Sequence, residues 1–194
     1  MDKLSYAVGM SMASNLMNSG LRNIDVDSFV KAFTEIMGNA PTSMSPEEAN
    51  QLLQDYFSKH QENMMTNNLE EGIAFLEANK KKENVVALPS GLQYEILTEA
   101  SGPKPKATDK VRCHYHGTLI NGTVFDSSVQ RGQPAVFGVN QVIKGWVEAL
   151  QLMPVGSKWR LYIPSDLAYG ERGAGNSIKP NSTLIFDVEL LEIE

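Results

Sequence analysis

The chain has 194 residues, a single cysteine and a formal net charge of −6. That balance excludes a phosphate-backbone partner such as nucleic acid, which clustered Lys and Arg would have to neutralise, and the lone Cys113 excludes an intrachain disulfide. No window approaches the roughly 18 consecutive apolar residues of a membrane span, and at about 150 residues per domain the length suggests one ordinary domain with a smaller companion.

Leu4, Val8, Met12 and Leu16 recur every fourth residue and predict an amphipathic first helix that stops at Gly20. The opening MDKLSYAVGMSMASNL carries Lys3 and a Ser-Met-Ala in the manner of a signal peptide, but Ser5, Ser11 and Asn15 break its apolar run. The expectation is a soluble helix and a cytoplasmic protein, or a periplasmic one if a leader has been removed. A second helix follows from Asp25 as N-cap, through Val26, Phe29, Val30, Phe33 and Met37 on one face, to Gly38 as a left-handed C-terminal residue.

The third helix is announced by MSPEEANQLL. Ser45 is the N-cap, Pro46 takes the first helical position, and Glu48 completes a capping box. With no strong breaker before Pro89, a helix from Pro46 to Asn79 would extend on the order of 50 Å. Ala49, Leu52, Leu53, Tyr56 and Phe57 give it an apolar face at the start, residues 58–63 are polar on every side, and Leu69, Ile73 and Leu76 restore a sparse stripe. Gly72 costs about 1 kcal/mol relative to Ala inside a helix, so a bend there is the alternative. The Lys80-Lys81-Lys82 run suits a helix end. The helical part is too small to build a comfortable core alone, and it holds most of the nine methionines, which suit shared interfaces. It therefore predicts a dimerisation module over residues 1–42, a long connecting helix over 43–82 and a third unit over 83–194, with a small helical bundle packed against the rest of the chain as the alternative to the dimer.

Past Leu88-Pro89-Ser90-Gly91 the periodicity changes from helical to alternating. Strand-like runs lie at residues 92–97, 111–119, 135–139, 157–163 and 183–193, and residues 142–152 read as the one helix, with Trp146, Ala149 and Leu150 on one side. The fold class is α+β, with an antiparallel sheet wrapped on one short helix. In HYHGTLINGTVFDSS, alternation sends Val111, Cys113 and Tyr115 inward and Arg112, His114 and His116 to the solvent side. A His-x-His pair can ligate a metal, but the third histidine, His60, lies on the polar helix, so no metal is expected. Asn121-Gly122 turns the chain back through Phe125 and Asp126. The Gly-rich YGERGAGNS lacks the Gly-Lys-Ser/Thr ending of a phosphate loop, and no cofactor is expected.

HYHGTLINGTVFDSS, VNQVIKGWVEALQLMPVGSKWRLYIPSDLAYGERG and TLIFDVELLEIE together resemble the FKBP-type peptidyl-prolyl cis/trans isomerases. LPSGLQYEIL, joined to a long upstream helix, resembles their dimeric bacterial subgroup, which includes the macrophage infectivity potentiators. The resemblance implies a proline pocket with Trp146 as floor and Tyr115, Phe125, Phe137 and Phe186 as walls. It implies that the Ile143 amide and the Tyr169 hydroxyl hold the carbonyls flanking the proline, that Asp126 accepts from Tyr115 beside the twisting amide, and that Val142 and Ile178 touch substrate. Two departures stand out: Ala135 and Ala174 occupy places where macrolide-binding members often carry an aromatic and a His, which implies a pocket shallower on that side. The implied partners are proline-containing polypeptides, a second copy through the N-terminal helices, and macrolides such as rapamycin or tacrolimus. The implied activity is isomerisation of Xaa-Pro bonds in unfolded or partly folded proteins, with chaperone-like action as a dimer. The alternative is a non-catalytic chaperone or adaptor that holds proline-containing segments.

Overall fold

The computed structural model describes residues 1–194, which form two compact units, Met1–Glu62 and Asn63–Glu194. The division falls inside a single helix, so residues 63–82 share a compact unit with the sheet.

In the first unit α1 (Lys3–Asn18) and α2 (Val26–Met37) precede the opening turns of α3 (Pro46–Asn79). Asp2 and Asp25 cap the first two helices by accepting from the Ser5 and Ser28 amides at 2.7 and 2.9 Å. The capping box of α3 is reciprocal: Ser45 Oγ accepts from the Glu48 amide at 3.2 Å and Glu48 Oε2 from the Ser45 amide at 2.9 Å. Gly38 is not left-handed, at φ −86°. Asn39 takes that conformation at φ 51°, because the amides of Asn39 and Ala40 turn back to Ile36 O and Glu35 O in a Schellman motif that needs the left-handed residue one place later. None of the first 62 residues is buried.

The second unit is built on a wholly antiparallel sheet with strand order β1 (Val85–Ala87), β2 (Gln93–Thr98), β6 (Lys158–Ile163), β7 (Leu184–Ile193), β3 (Lys110–Leu119), β4 (Val124–Ser127), while β5 (Ala135–Gly138) also pairs with β3. Two of these strands lie outside the five strand-like runs of the sequence. β1 has three residues, too few to show an alternation, and β4 is the return arm after the Asn121-Gly122 turn. That turn uses Ile120 as well: the Gly122 amide closes on Leu119 O at 2.9 Å, Leu119 in turn donates to Thr123 O, and Gly122 takes φ 83°. α4 (Lys144–Leu152) lies on one face of the sheet, and Trp146, Ala149 and Leu150 pack with Val111, Cys113, Leu161, Val188 and Leu190 in the core.

The opposite face is covered at one end by the last turns of α3, which continue unbroken through Gly72. The contact face of these turns is Met65, Asn68, Gly72, Phe75, Leu76 and Asn79, whereas Leu69 and Ile73 of the expected stripe stay exposed. Phe75 meets the ring of Tyr162 at 5.9 Å, and the Asn79 side chain donates to Gln93 Oε1 at 3.0 Å. A Cβ on Gly72 would lie 2.3 Å from Thr183 Oγ1, so the glycine is what lets helix and sheet approach. No helix is long and apolar enough to cross a membrane.

Candidate active site

β3 carries the alternation that the sequence shows: Val111, Cys113, Tyr115 and Gly117 are buried, and the residues between them are exposed or half-buried. Cys113 sits at zero exposure, and burial pushes its thiol up to about 12, so it is inert packing. His114 and His116 lie on the other face, half-buried, and each ring nitrogen Nδ1 meets a serine hydroxyl, Ser128 at 3.1 Å and Ser127 at 3.0 Å. They share no cluster with further metal-ligating side chains.

On the core side a cavity of about 720 Å³ opens between β3, β4, β7 and α4. All ten residues that the resemblance assigns to the pocket line it: Tyr115, Phe125, Asp126, Phe137, Val142, Ile143, Trp146, Tyr169, Ile178 and Phe186. The rings form a cup. Tyr115, Phe137 and Phe186 stand 5.3 to 5.6 Å from Trp146 at interplanar angles of 77° to 83°, and Phe125 meets Phe186 edge-on at 5.3 Å. Edge-to-face pairs of this kind hold one another in place. Trp146 is 3% exposed, and its indole nitrogen is buried without a partner in the protein.

Phe125 reaches the cup through a bulge. Pairing of β3 with β4 jumps from Gly117↔Asp126 to Thr118↔Val124, leaving Phe125 as the extra residue that a bulge re-aims. Gly117 makes room for it, since a Cβ there would lie 2.7 to 2.8 Å from the rings of both Phe125 and Phe186. Ala174 lines the cavity, together with Gln141, Gly175, Asn176 and Ser177, and Ala135 does not. Of the two alanine departures, only Ala174 therefore shapes the cavity wall.

The polar corner is a three-membered network. Tyr115 Oη donates to Asp126 Oδ2 at 2.6 Å, Arg131 Nη2 donates to the Tyr115 oxygen at 2.7 Å, and Arg131 Nη1 pairs with Asp126 Oδ1. The guanidinium also lies 5.6 Å from the centre of the Tyr115 ring. Partial burial works against the charge on Asp126, but the hydrogen bonds from Tyr115 and Arg131 and the nearby cation outweigh it and hold the carboxyl below its ordinary range. Burial and the bond to Asp126 raise Tyr115, against the opposing pull of Arg131. Arg131 is absent from the sequence-derived set. The one available signal was a cation five residues beyond the single carboxylate of the pocket.

Tyr169, also in the lining, is 41% exposed, in a turn that leads into Gly170–Arg172. The amide of Ile143, at the N-terminus of α4, makes no hydrogen bond within the protein. The arrangement is an apolar, mostly aromatic cup whose lining holds one fixed carboxylate and the free donors of Ile143 and Tyr169.

Residues 102–191 match the family model described as FKBP-type peptidyl-prolyl cis-trans isomerase, and residues 1–96 match the domain amino terminal to it. The chain is 46% identical over 192 residues to the FKBP-type 22 kDa peptidyl-prolyl cis-trans isomerase of Escherichia coli, covering 97% of this chain and 93% of that one. It is 44% identical over 204 residues to the outer membrane protein MIP of Legionella longbeachae, covering 100% of this chain and 85% of that protein. Among solved structures, FkpA from Escherichia coli matches with a TM-score of 0.82 at 33% identity, over 98% of this chain and 93% of that one.

Proposed function

We propose that this chain, which belongs to the FKBP-type peptidyl-prolyl cis/trans isomerase family and is an enzyme of that class, acts as a homodimer on proline-containing segments of unfolded or partly folded proteins. The observation that carries the reading is the aromatic cup over Trp146 with the Tyr115–Asp126 pair at its edge.

Rotation of an amide through its orthogonal state costs about 18 to 20 kcal/mol because resonance is lost. Uncatalysed Xaa-Pro exchange takes on the order of tens to hundreds of seconds. Resonance makes the planar amide the more polar form, so a water-poor cup of Phe125, Phe137, Trp146 and Phe186 favours the twisted state. The Ile143 amide and the Tyr169 hydroxyl hold the flanking carbonyls, and only contacts tighter in the twisted state than in the planar one accelerate the step. Asp126 stays ionised beside the twisting bond because Tyr115 and Arg131 hold it so. Val142 and Ile178 complete the apolar lining around the ring. No nucleophile or cofactor enters this sequence of events.

The dimer reading rests on the first unit, where Val30, Phe33, Leu52 and Leu53 are 44% to 61% exposed and a groove of about 320 Å³ runs past Met12, Leu16 and Phe29. A second copy gives these side chains a cover. Two linked pockets also raise the effective concentration for a second contact with the same unfolded chain, which is the basis for chaperone-like action. Rapamycin and tacrolimus are proposed occupants of the same cup, with Ala174 leaving its far wall low. A cytoplasmic location, or a periplasmic one after loss of a leader, belongs to the same proposal and is tested by fractionation.

The deciding experiment is exchange spectroscopy on a short Xaa-Pro peptide with the whole chain. Catalysed exchange is expected, and Asp126→Leu should lower it by about tenfold or more, equivalent to about 1.4 kcal/mol per decade, with an unchanged circular dichroism spectrum. Exchange rates unaffected by the parent chain would leave only the adaptor reading.

A further inference from the structure

The pocket wall formed by Ala174 to Ile178, and Tyr169 upstream of it, belong to a loop that is anchored in the core at Ile178 and exposed at residues 171–172 and 175–177. Its backbone takes positive φ at Gly170, Gly173, Gly175 and Asn181. Such glycines lose more freedom on ordering than any other residue. The loop tip is tied by the paired bonds between Ala174 and Ile178, at 2.8 and 3.1 Å. Its base is tied by Asn181, whose amide donates to Gly170 O at 2.9 Å, next to Tyr169.

Asn181 also reaches outward. Its side-chain Nδ2 donates to Met65 O of α3 at 3.2 Å, and one turn along, Asn68 Nδ2 donates back to Pro180 O at 2.7 Å. Asn181 adopts φ 58°, a conformation that Asn tolerates better than most residues, so one side chain meets both the backbone and the bonding requirement. All four partners are half-buried. A turn later, Gly72 closes against Thr183, which fixes how near α3 lies to the end of the loop.

We propose that Asn68 and Asn181 are positioning residues for the isomerase reaction, forming a reciprocal clasp through which α3 holds the Tyr169–Ile178 wall in its substrate-ready place. This rests on the pocket assignment above and extends it to a helix that touches no substrate. An unclasped loop spends only a fraction of its time in the competent arrangement, and apparent affinity falls by that fraction while the bound complex reacts as before. The clasp therefore acts on KM rather than on kcat.

The test compares the whole chain with Asn68→Ala, Asn181→Gly and the exposed neighbour Asn67→Ala. Asn181→Gly keeps the left-handed backbone available while removing the donor. On a short Xaa-Pro peptide both clasp variants should raise KM by about fivefold with kcat retained, and Asn67→Ala should match the parent. Amide exchange followed by mass spectrometry should quicken over residues 169–183 and stay unchanged in β3 and α4. A fall in kcat at constant KM, together with a lower melting temperature, would reduce the pair to a structural role and overturn the proposal, as would unchanged KM in both variants. If the parent chain is inert on the peptide, the isomerase reading falls, and faster exchange over 169–183 in the variants would still establish the clasp on the loop. Unchanged exchange there refutes the clasp whatever the activity.

Discussion

Met1–Glu62 and Asn63–Glu194 draw on the same apolar residue types and dispose of them in opposite ways. In the second unit Leu150, Leu161 and Val188 are at zero exposure, while in the first Phe33 is 44% and Leu52 61% exposed. A sheet with one helix across it can close a core within one chain. The short helices of the first unit leave theirs open, with Val30, Phe33, Leu52 and Leu53 uncovered, because every apolar face needs another to cover it. α3 serves both units: its opening turns leave Leu52 and Leu53 outside, and its closing turns bury Gly72 and Asn79. Apolar periodicity therefore marks where burial is available and says nothing of whether the cover comes from the same chain.

The largest expected effect breaks the closed unit alone. Trp146 is the floor of the cup and part of the core, so Trp146→Ala should cost about 3 to 5 kcal/mol in denaturant unfolding of that unit and abolish peptide isomerisation. Sedimentation should show association through the first unit unaffected. A Trp146→Ala chain with parental stability and activity would contradict the assignment of Trp146 as floor.

The mirror experiment breaks the open unit. Phe33→Asp places a carboxylate on the face proposed to meet a second copy, where an unpaired buried charge is costly. Association should weaken by about a hundredfold, or about 2.7 kcal/mol. Activity on short peptides should stay at the parental level, and refolding of a proline-limited protein should slow. Unchanged sedimentation would remove Phe33 from the interface, and loss of peptide activity would show that the units depend on one another.

The contrast between units also explains which features were legible in the sequence. The inward run of β3, the caps at Asp25 and Ser45 and the helix bearing Trp146 obey local rules, so periodicity and cap chemistry reveal them. The gathering of Tyr115, Phe125 and Phe186 depends on register across β3, β4 and β7, which no single segment encodes, and the family resemblance supplied it. The working face of the last turns of α3 escaped an apolar template because Asn68, Gly72 and Asn79, which act through hydrogen bonds and close approach, alternate on it with Met65, Phe75 and Leu76. Arg131 escaped because it sits in a loop, and its reach to Asp126 exists only once the chain has turned through residues 127–130, where the Arg131 amide closes on Ser127 O at 3.3 Å.

That mixed face gives a smaller, oppositely signed test. In a bare helix Gly72→Ala should stabilise by about 1 kcal/mol. Here the added methyl group would meet the short, buried Thr183 side chain, and overpacking costs about 1 to 3 kcal/mol. The net expectation is a lower unfolding midpoint for the second unit, measured on the whole chain. A rise would mean that helix and sheet are not in close contact at Gly72.

The smallest expected effect is the absence of one, and it follows from the signs of two shifts in the polar corner. Asp126 is held below the ordinary carboxylate value of 3.8, so its ionised form is favoured by the fold. Whatever that contributes is present above the ordinary value and lost as pH falls through the lowered one. Tyr115 is raised above the ordinary phenol value of 10.0, so its contribution is present below that value and lost as pH rises through the raised one. Between the two limits the pair keeps one arrangement, a neutral phenol donating to a carboxylate. The Asp126 side chain is 44% exposed and its partner Arg131 52%, so solvent screening keeps any stability change small. Peptide exchange catalysed by the whole chain should therefore show a flat kcat/KM from about pH 5 to about pH 9. His114 and His116 face away from the cup, across β3, and replacing either should leave the profile unchanged. An inflection inside that interval that vanished on replacing either histidine would show that the far face of the strand reaches the pocket. One that vanished in Asp126→Leu would show that the network with Arg131 does not hold the carboxylate as its geometry implies.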